Sequence, residues 1–124
     1  MWQMYNPNPY GRKVKDCTVR AVSAALNLSW DEAYRMICNH GFEFKDMPSS
    51  DSVWGNVFKI RDFERVAIPS SYPGDYTAED FCLDNRKGLF VLGFGNHVAT
   101  VKNGVILDAW DSSSESPQYF WAKR

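Results

Sequence analysis

Histidine is scarce in this chain. There are two, His40 and His97, in 124 residues. Cysteine is nearly as rare, with Cys17, Cys38 and Cys82. An odd number of thiols at wide spacing excludes a disulfide framework and suits a reducing setting. Two distant histidines and three scattered cysteines also match no metal-ligand spacing, so neither a metal nor another cofactor is expected. No apolar run approaches a membrane span. The opening MWQMYNPNPYGRK holds no apolar signal-peptide core, so a cytoplasmic protein with no membrane partner is expected. Charge of one sign is missing too: 14 Lys and Arg stand against 15 Asp and Glu, and both signs are scattered. Without a basic stripe, a nucleic-acid partner is excluded. No internal repeat or low-complexity segment divides the chain, and its length predicts one domain over 1–124.

Aromatic residues are plentiful, at 15% with five Trp, enough to anchor one core. The most informative stretch is GLFVLGFGNHVATVKNGVILDAWDSSS, Gly88 to Ser114. Asn103-Gly104 lies between two apolar runs, and Asn-Gly is the preferred pair for a type I′ hairpin because both positions take φ > 0. That turn pairs Lys102 with Val105 and, further out, His97 with Trp110. Strand alternation then puts Ala99, Asp108 and Trp110 on the face of His97, with Asp108 as its diagonal neighbour and Asp111 on the opposite face. A carboxylate beside an imidazole is the orienting half of a nucleophilic triad.

Before this hairpin, the pattern is mainly helical. Residues 1–13 read as an extended or turning arm, pinned by Tyr5 and Tyr10. Asp16 to Leu26 predicts a helix with Asp16 as N-cap and a Val19, Val22, Leu26 stripe. Ser29 to Asn39 predicts a second, with a Ser29/Glu32 capping box and Gly41 as its stop; Cys38 and His40 near its end read as structural. A loop follows to Ser50, then a helix from Asp51 to Arg61 with Trp54, Val57 and Phe58 in the core. Phe63 to Ile68 predicts a strand, and Ser70 to Tyr76 a loop. Thr77 and Asp80 box a short helix in which Cys82 packs inward. Strands are expected at Leu89 to Gly93, in the hairpin, and at Gln118 to Trp121. The whole is α+β in two segregated layers, with N-terminal helices packed on a mostly antiparallel β-sheet.

Cys17 falls at the first position of the first helix, where unpaired N–H groups and the helix dipole favour a thiolate. Each residue also has an ordinary role open to it. Cys17 can simply pack, His97 can bond a carbonyl, Asp108 can tie down the Ser112 to Ser114 loop, and Trp110 can fill the core.

The blocks GRKVKDCTVRAVSAAL, DMPSSDSVWG, YTAEDF and HVATVKNGVILDAWDS together resemble a largely uncharacterised group of small bacterial and phage proteins in the papain-like cysteine peptidase superfamily. The likeness spans nearly the whole chain. It implies a papain-like fold and a cysteine peptidase or amidohydrolase that cleaves a peptide or isopeptide-like bond of a peptide or protein substrate in the bacterial cell. An acyltransferase of the same fold and a catalytically silent protein-binding module are the alternatives. Cys17 is then the nucleophile, His97 its base and proton carrier, and Asp108 the group that orients the imidazole. The Cys17 N–H donates to the oxyanion. Papain-like enzymes carry a second oxyanion donor, a Gln six residues before the nucleophile, where this chain has Gly11. The expected substitutes lie in the arm, at Asn6 or Gln3, with Asn8 also within its reach. Trp110 is expected to shield the His97–Asp108 pair from water. Asp16, next to the thiol, opposes its ionisation unless its carboxylate is spent on capping. Arg20 is expected in solvent, with Asp16 and Asp108 as the alternative partners.

Overall fold

A computed structural model describes residues 1–69 and 74–124. Its elements in chain order are β1 (Trp2–Met4), α1 (Cys17–Leu26), α2 (Trp30–Phe44), α3 (Asp51–Lys59), β2 (Phe63–Ala67), α4 (Ala78–Asp84), β3 (Leu89–Gly93), β4 (Val98–Lys102), β5 (Val105–Asp108) and β6 (Tyr119–Lys123). The fold is α+β. The six strands form one mixed sheet in the order β1-β5-β4-β3-β6-β2, antiparallel throughout except where β1 runs parallel to β5. No helix among the described residues is long and apolar enough to cross a membrane.

The Asn103-Gly104 turn does set the register of the β4–β5 hairpin. Both residues have positive φ, 51° and 77°, and Lys102 pairs with Val105. Asn103 is also held from outside, because its side-chain oxygen accepts the Gly88 N–H at 3.0 Å. Strand alternation then sorts the sheet residues into two cores. Val91, Val98 and Trp121 face α1, α2 and α3, where they meet Val19, Val22, Ile37, Val57 and Phe58. Their neighbours Leu92, Ala99, Val101 and Ile106 face the other way and pack with Phe81 and Cys82 of α4. Val22, Val57 and Phe58 are fully buried, and each such side chain contributes about 1.5–3 kcal/mol. Helices therefore cover both faces of the sheet. The expected two layers are three, since α4 can reach the far face only after the chain has crossed β2.

Other local expectations change for identifiable reasons. Helix α2 does not stop at Gly41 but runs to Phe44, and Lys45 takes the left-handed cap at φ 56°. Gly41 is needed instead for close approach: a Cβ there would sit 2.9 Å from the Asp46 carbonyl oxygen and 3.3 Å from the Pro48 nitrogen as the chain folds back. The N-terminal arm supplies β1, too short to show an alternating pattern. Tyr5 pins it, with its hydroxyl 2.6 Å from Ser23 Oγ, but Tyr10 is 88% exposed and pins nothing. Helix α3 ends at Lys59, two residues early, and β6 begins and ends later than expected, at Tyr119 and Lys123. The Ser70 to Tyr76 loop lies largely outside the described residues.

Candidate active site

Helix α1 begins at Cys17 and packs by its Val19 and Val22 stripe against β4. A bond from the Thr100 hydroxyl to the Ala21 carbonyl, 2.8 Å long and buried, fixes the helix along that strand. Its N-terminus thus lies beside the start of β4, where His97 stands. The turn that carries His97 is closed by the Phe94 N–H donating to the His97 carbonyl at 2.8 Å. Phe94 and Trp110 stack on the imidazole, with ring centroids 5.8 Å and 4.8 Å away. Trp110 covers the ring from the solvent side and is itself 44% exposed.

His97 Nε2 donates to Asp108 Oδ2 at 2.6 Å. Its other ring nitrogen is left for the Cys17 thiol, the second group after Asp108 that favours the charged imidazole. Asp108 has no exposed surface and its carboxylate is fully engaged. Ser112 Oγ donates to Oδ2 at 2.7 Å, the Ala109 N–H to Oδ1 at 2.8 Å, and Arg20 Nη2 to Oδ1 at 3.1 Å. The arm locks the backbone at the same residue, since the Tyr5 N–H and the Trp2 indole both donate to the Asp108 carbonyl. Asp111, on the other face, turns away and accepts from Ser113.

Arg20 is the residue that sequence reasoning put in the wrong place. It is 6% exposed, and its guanidinium bridges two carboxylates, Asp108 and Asp16. The i,i+4 spacing of Asp16 and Arg20 was the available signal; the contact to Asp108 spans 88 residues and has no local signature. Asp16 holds the N-cap position of α1 but makes no cap bond. Its carboxylate accepts from Arg20 and, at 2.8 Å, from the Trp30 indole. The result is a buried series of alternating charge, Asp16, Arg20, Asp108, His97, ending at Cys17.

This series controls ionisation. Burial raises the Cys17 thiol, but the hydrogen bond with His97, the Val98 N–H and the nearby His97 and Arg20 charges outweigh it, and its pKa is lowered. Burial likewise lowers His97, yet the bonds to Asp108 and Cys17 raise it to about 9. Asp108 is lowered despite burial, chiefly by its bond to His97 and then by Ser112. Cys82 is the contrast: burial raises its thiol, and the nearby N-terminal ammonium does not offset it. His40 is buried with Nδ1 unpaired, edge-on to Phe44, and Cys38 is half-buried on the same helix; neither approaches the series.

Two cavities of about 610 Å³ and 550 Å³ meet at Lys15, Cys17, Asn96 and His97, so the thiol sits at the waist of a cleft with an arm on either side. Asn6 lines the smaller arm, its side-chain amide donating to the Arg12 carbonyl at 3.2 Å. Gln3 is on β1 opposite Leu107 and lines neither cavity. Asn96, which the sequence reading passed over as a turn residue, lines both arms. At the start of α1, the Cys17 N–H has no acceptor on its own helix. Among the described residues, no group of three or more His, Cys, Asp or Glu side chains could hold a metal ion.

Compared with known proteins, the chain matches no family model, no curated protein and no solved structure.

Proposed function

We propose that the protein is a papain-like cysteine hydrolase that cleaves a peptide or isopeptide-like amide through Cys17, His97 and Asp108. The His97–Asp108 pair, bonded at 2.6 Å, beside a thiol of lowered pKa that opens to a cleft, carries this reading. The Cys17 thiolate attacks the acyl carbon, and the carbonyl oxygen becomes an oxyanion beside the Cys17 N–H. His97, protonated and held by Asp108, gives its proton to the leaving nitrogen as the C–N bond breaks. A thioester on Cys17 remains. Water, deprotonated by His97, attacks it, releases the carboxylic acid and restores the thiol. Asn96 and Asn6, whose side chains line the cleft, are the candidates for a second oxyanion donor.

The second arm of the cleft favours one variant of this scheme. An amine seated there in place of water turns hydrolysis into acyl transfer by the same steps. Product analysis with added amine separates the two.

Alkylation with iodoacetamide near neutral pH, followed by peptide mass spectrometry, tests the proposal. Cys17 should label much faster than Cys38 or Cys82, and Cys17→Ala should abolish amide cleavage while the protein stays folded. Equal labelling of all three thiols overturns the proposal. So does a biological role that survives in a folded Cys17→Ala variant, which would leave a protein-binding module.

A further inference from the structure

The larger arm of the cleft holds a cation that the triad does not use. Arg65 projects from β2 into that arm, with its guanidinium carbon 3.9 Å from the centroid of the Tyr119 ring. The stack has a foundation. Tyr119 pairs with Gly93 across β3 and β6, and a Cβ on Gly93 would fall inside the tyrosine ring. Only glycine lets the ring lie flat on the sheet, and the flat ring then orients Arg65 above it.

A guanidinium held over an aromatic face by its carbon still has N–H groups that can grip a carboxylate with two parallel bonds. Among the described residues, no acidic side chain forms an ion pair with Arg65. The ion pairs among the described residues are those of Met1, Arg20, His97 and Arg124, and Arg65 has none. Residues 70–73, SSYP, contain no acid. Asp51 lines the same arm but accepts from the Trp54 indole at 3.1 Å and forms no ion pair with Arg65. Lys15, exposed and without an acidic partner among the described residues, lines the arm next to Cys17. The larger arm thus offers two cations that form no ion pair among the described residues, on a protein whose net charge is −1.

We infer that Arg65 is a specificity residue that seats a carboxylate of the substrate, so that the preferred acyl donor is an acidic peptide. The inference rests on the hydrolase reading of Cys17 but concerns a different part of the cleft. Lys15 adds long-range attraction, and the aromatic walls, Trp54 and Tyr119, take the apolar part of the residue that bears the carboxylate.

The test uses peptidyl vinyl sulfones with Glu or Gln placed in turn at each of the three positions before the warhead. At one position, Glu should label Cys17 about tenfold faster than Gln at low salt, the size of one charge-assisted contact. Arg65→Gln should bring that ratio to about one, Arg65→Lys should keep part of it, and Asp51→Asn should increase it. Iodoacetamide should label Cys17 at the same rate in all these variants. A ratio near one at every position in the wild type, or a Glu preference that survives Arg65→Gln, overturns the inference while leaving the nucleophile intact. Should iodoacetamide fail to select Cys17, the hydrolase reading falls. The Arg65 site is then judged separately by binding of the same peptides, without warhead, to the Cys17→Ala protein: Arg65-dependent Glu preference supports it, and none overturns it. Protection of the cleft by a single-stranded oligonucleotide and not by acidic peptide also counts against it.

Discussion

Helices α1, α2 and α4 start in two different ways. At α2, Ser29 and Glu32 exchange bonds in a full capping box, and Thr77 and Asp80 do the same at α4. Their first N–H groups are satisfied locally, and these ends do nothing further. At α1, an equally good capping residue, Asp16, makes no cap bond and gives its carboxylate to Arg20 and Trp30. The first turn of α1 keeps its free N–H groups, and Cys17 is the residue placed there. A helix end closed by its own sequence is a structural device. One left open while its cap residue serves a distant network is available for chemistry.

The sharpest way to break this contrast is to remove Arg20. Arg20→Met leaves two buried carboxylates facing each other and should cost about 3–5 kcal/mol of stability, read from urea denaturation. A loss no larger than that of a surface arginine would mean that α1 begins like α2 and α4. Asp16→Ala should cost about 1–3 kcal/mol, since it removes one of the two carboxylates on the guanidinium and leaves an indole N–H unpaired. Asp16→Ser separates the two roles of this position. Serine caps helices well, so a full rescue would show capping to be the role, and the network predicts little rescue. At the closed ends, Ser29→Ala and Thr77→Ala should each cost about 1 kcal/mol and leave Cys17 alkylation unchanged.

Titration sharpens the comparison without mutation. Cys17 is lowered and His97 is raised to about 9, so thiolate and imidazolium coexist between the two values. Iodoacetamide alkylation of Cys17 should therefore begin at a pH below the ordinary thiol range, while that of Cys82, which burial raises, should need a higher one. Stability follows the same groups. His97 contributes fully below its ordinary value of 6.5, and the contribution is lost as pH rises through about 9. Asp108, lowered from 3.8, contributes above that value and loses its contribution as pH falls through its lower folded value. A fit of stability against pH that shows no decline near 9 would remove the imidazolium from the series. Smallest of all, Asp111→Asn should leave the alkylation profile unchanged, because its carboxylate serves only Ser113.

Much of this was legible from short-range chemistry. Ser29 and Glu32, Thr77 and Asp80, and Asn103-Gly104 act within a few residues of themselves, so their turns and caps can be read from neighbours alone. The hairpin turn carried furthest, since strand parity then distinguishes Asp108 from Asp111 as the partner of His97. What failed were residues with two local options and a distant arbiter. Gly41 looks like a stop until Asp46 and Pro48 fold back on it. Arg20 looks solvated until Asp108 closes over it from another strand. Asp16 looks like a cap until Arg20 and Trp30 claim it.

The α+β class, the two capping boxes, the hairpin register and the candidates Cys17, His97 and Asp108 can all be read from local residues, because each rests on backbone preference or side-chain periodicity. Long-range packing sets the rest: helices cover both faces of the sheet, the N-terminal arm becomes a parallel strand, Arg20 joins two carboxylates behind His97, and Arg65 lies over Tyr119 in the cleft. Those depend on which distant groups meet once the chain has lost its water. A buried charge must find a partner wherever the fold supplies one, and sequence distance does not enter that requirement.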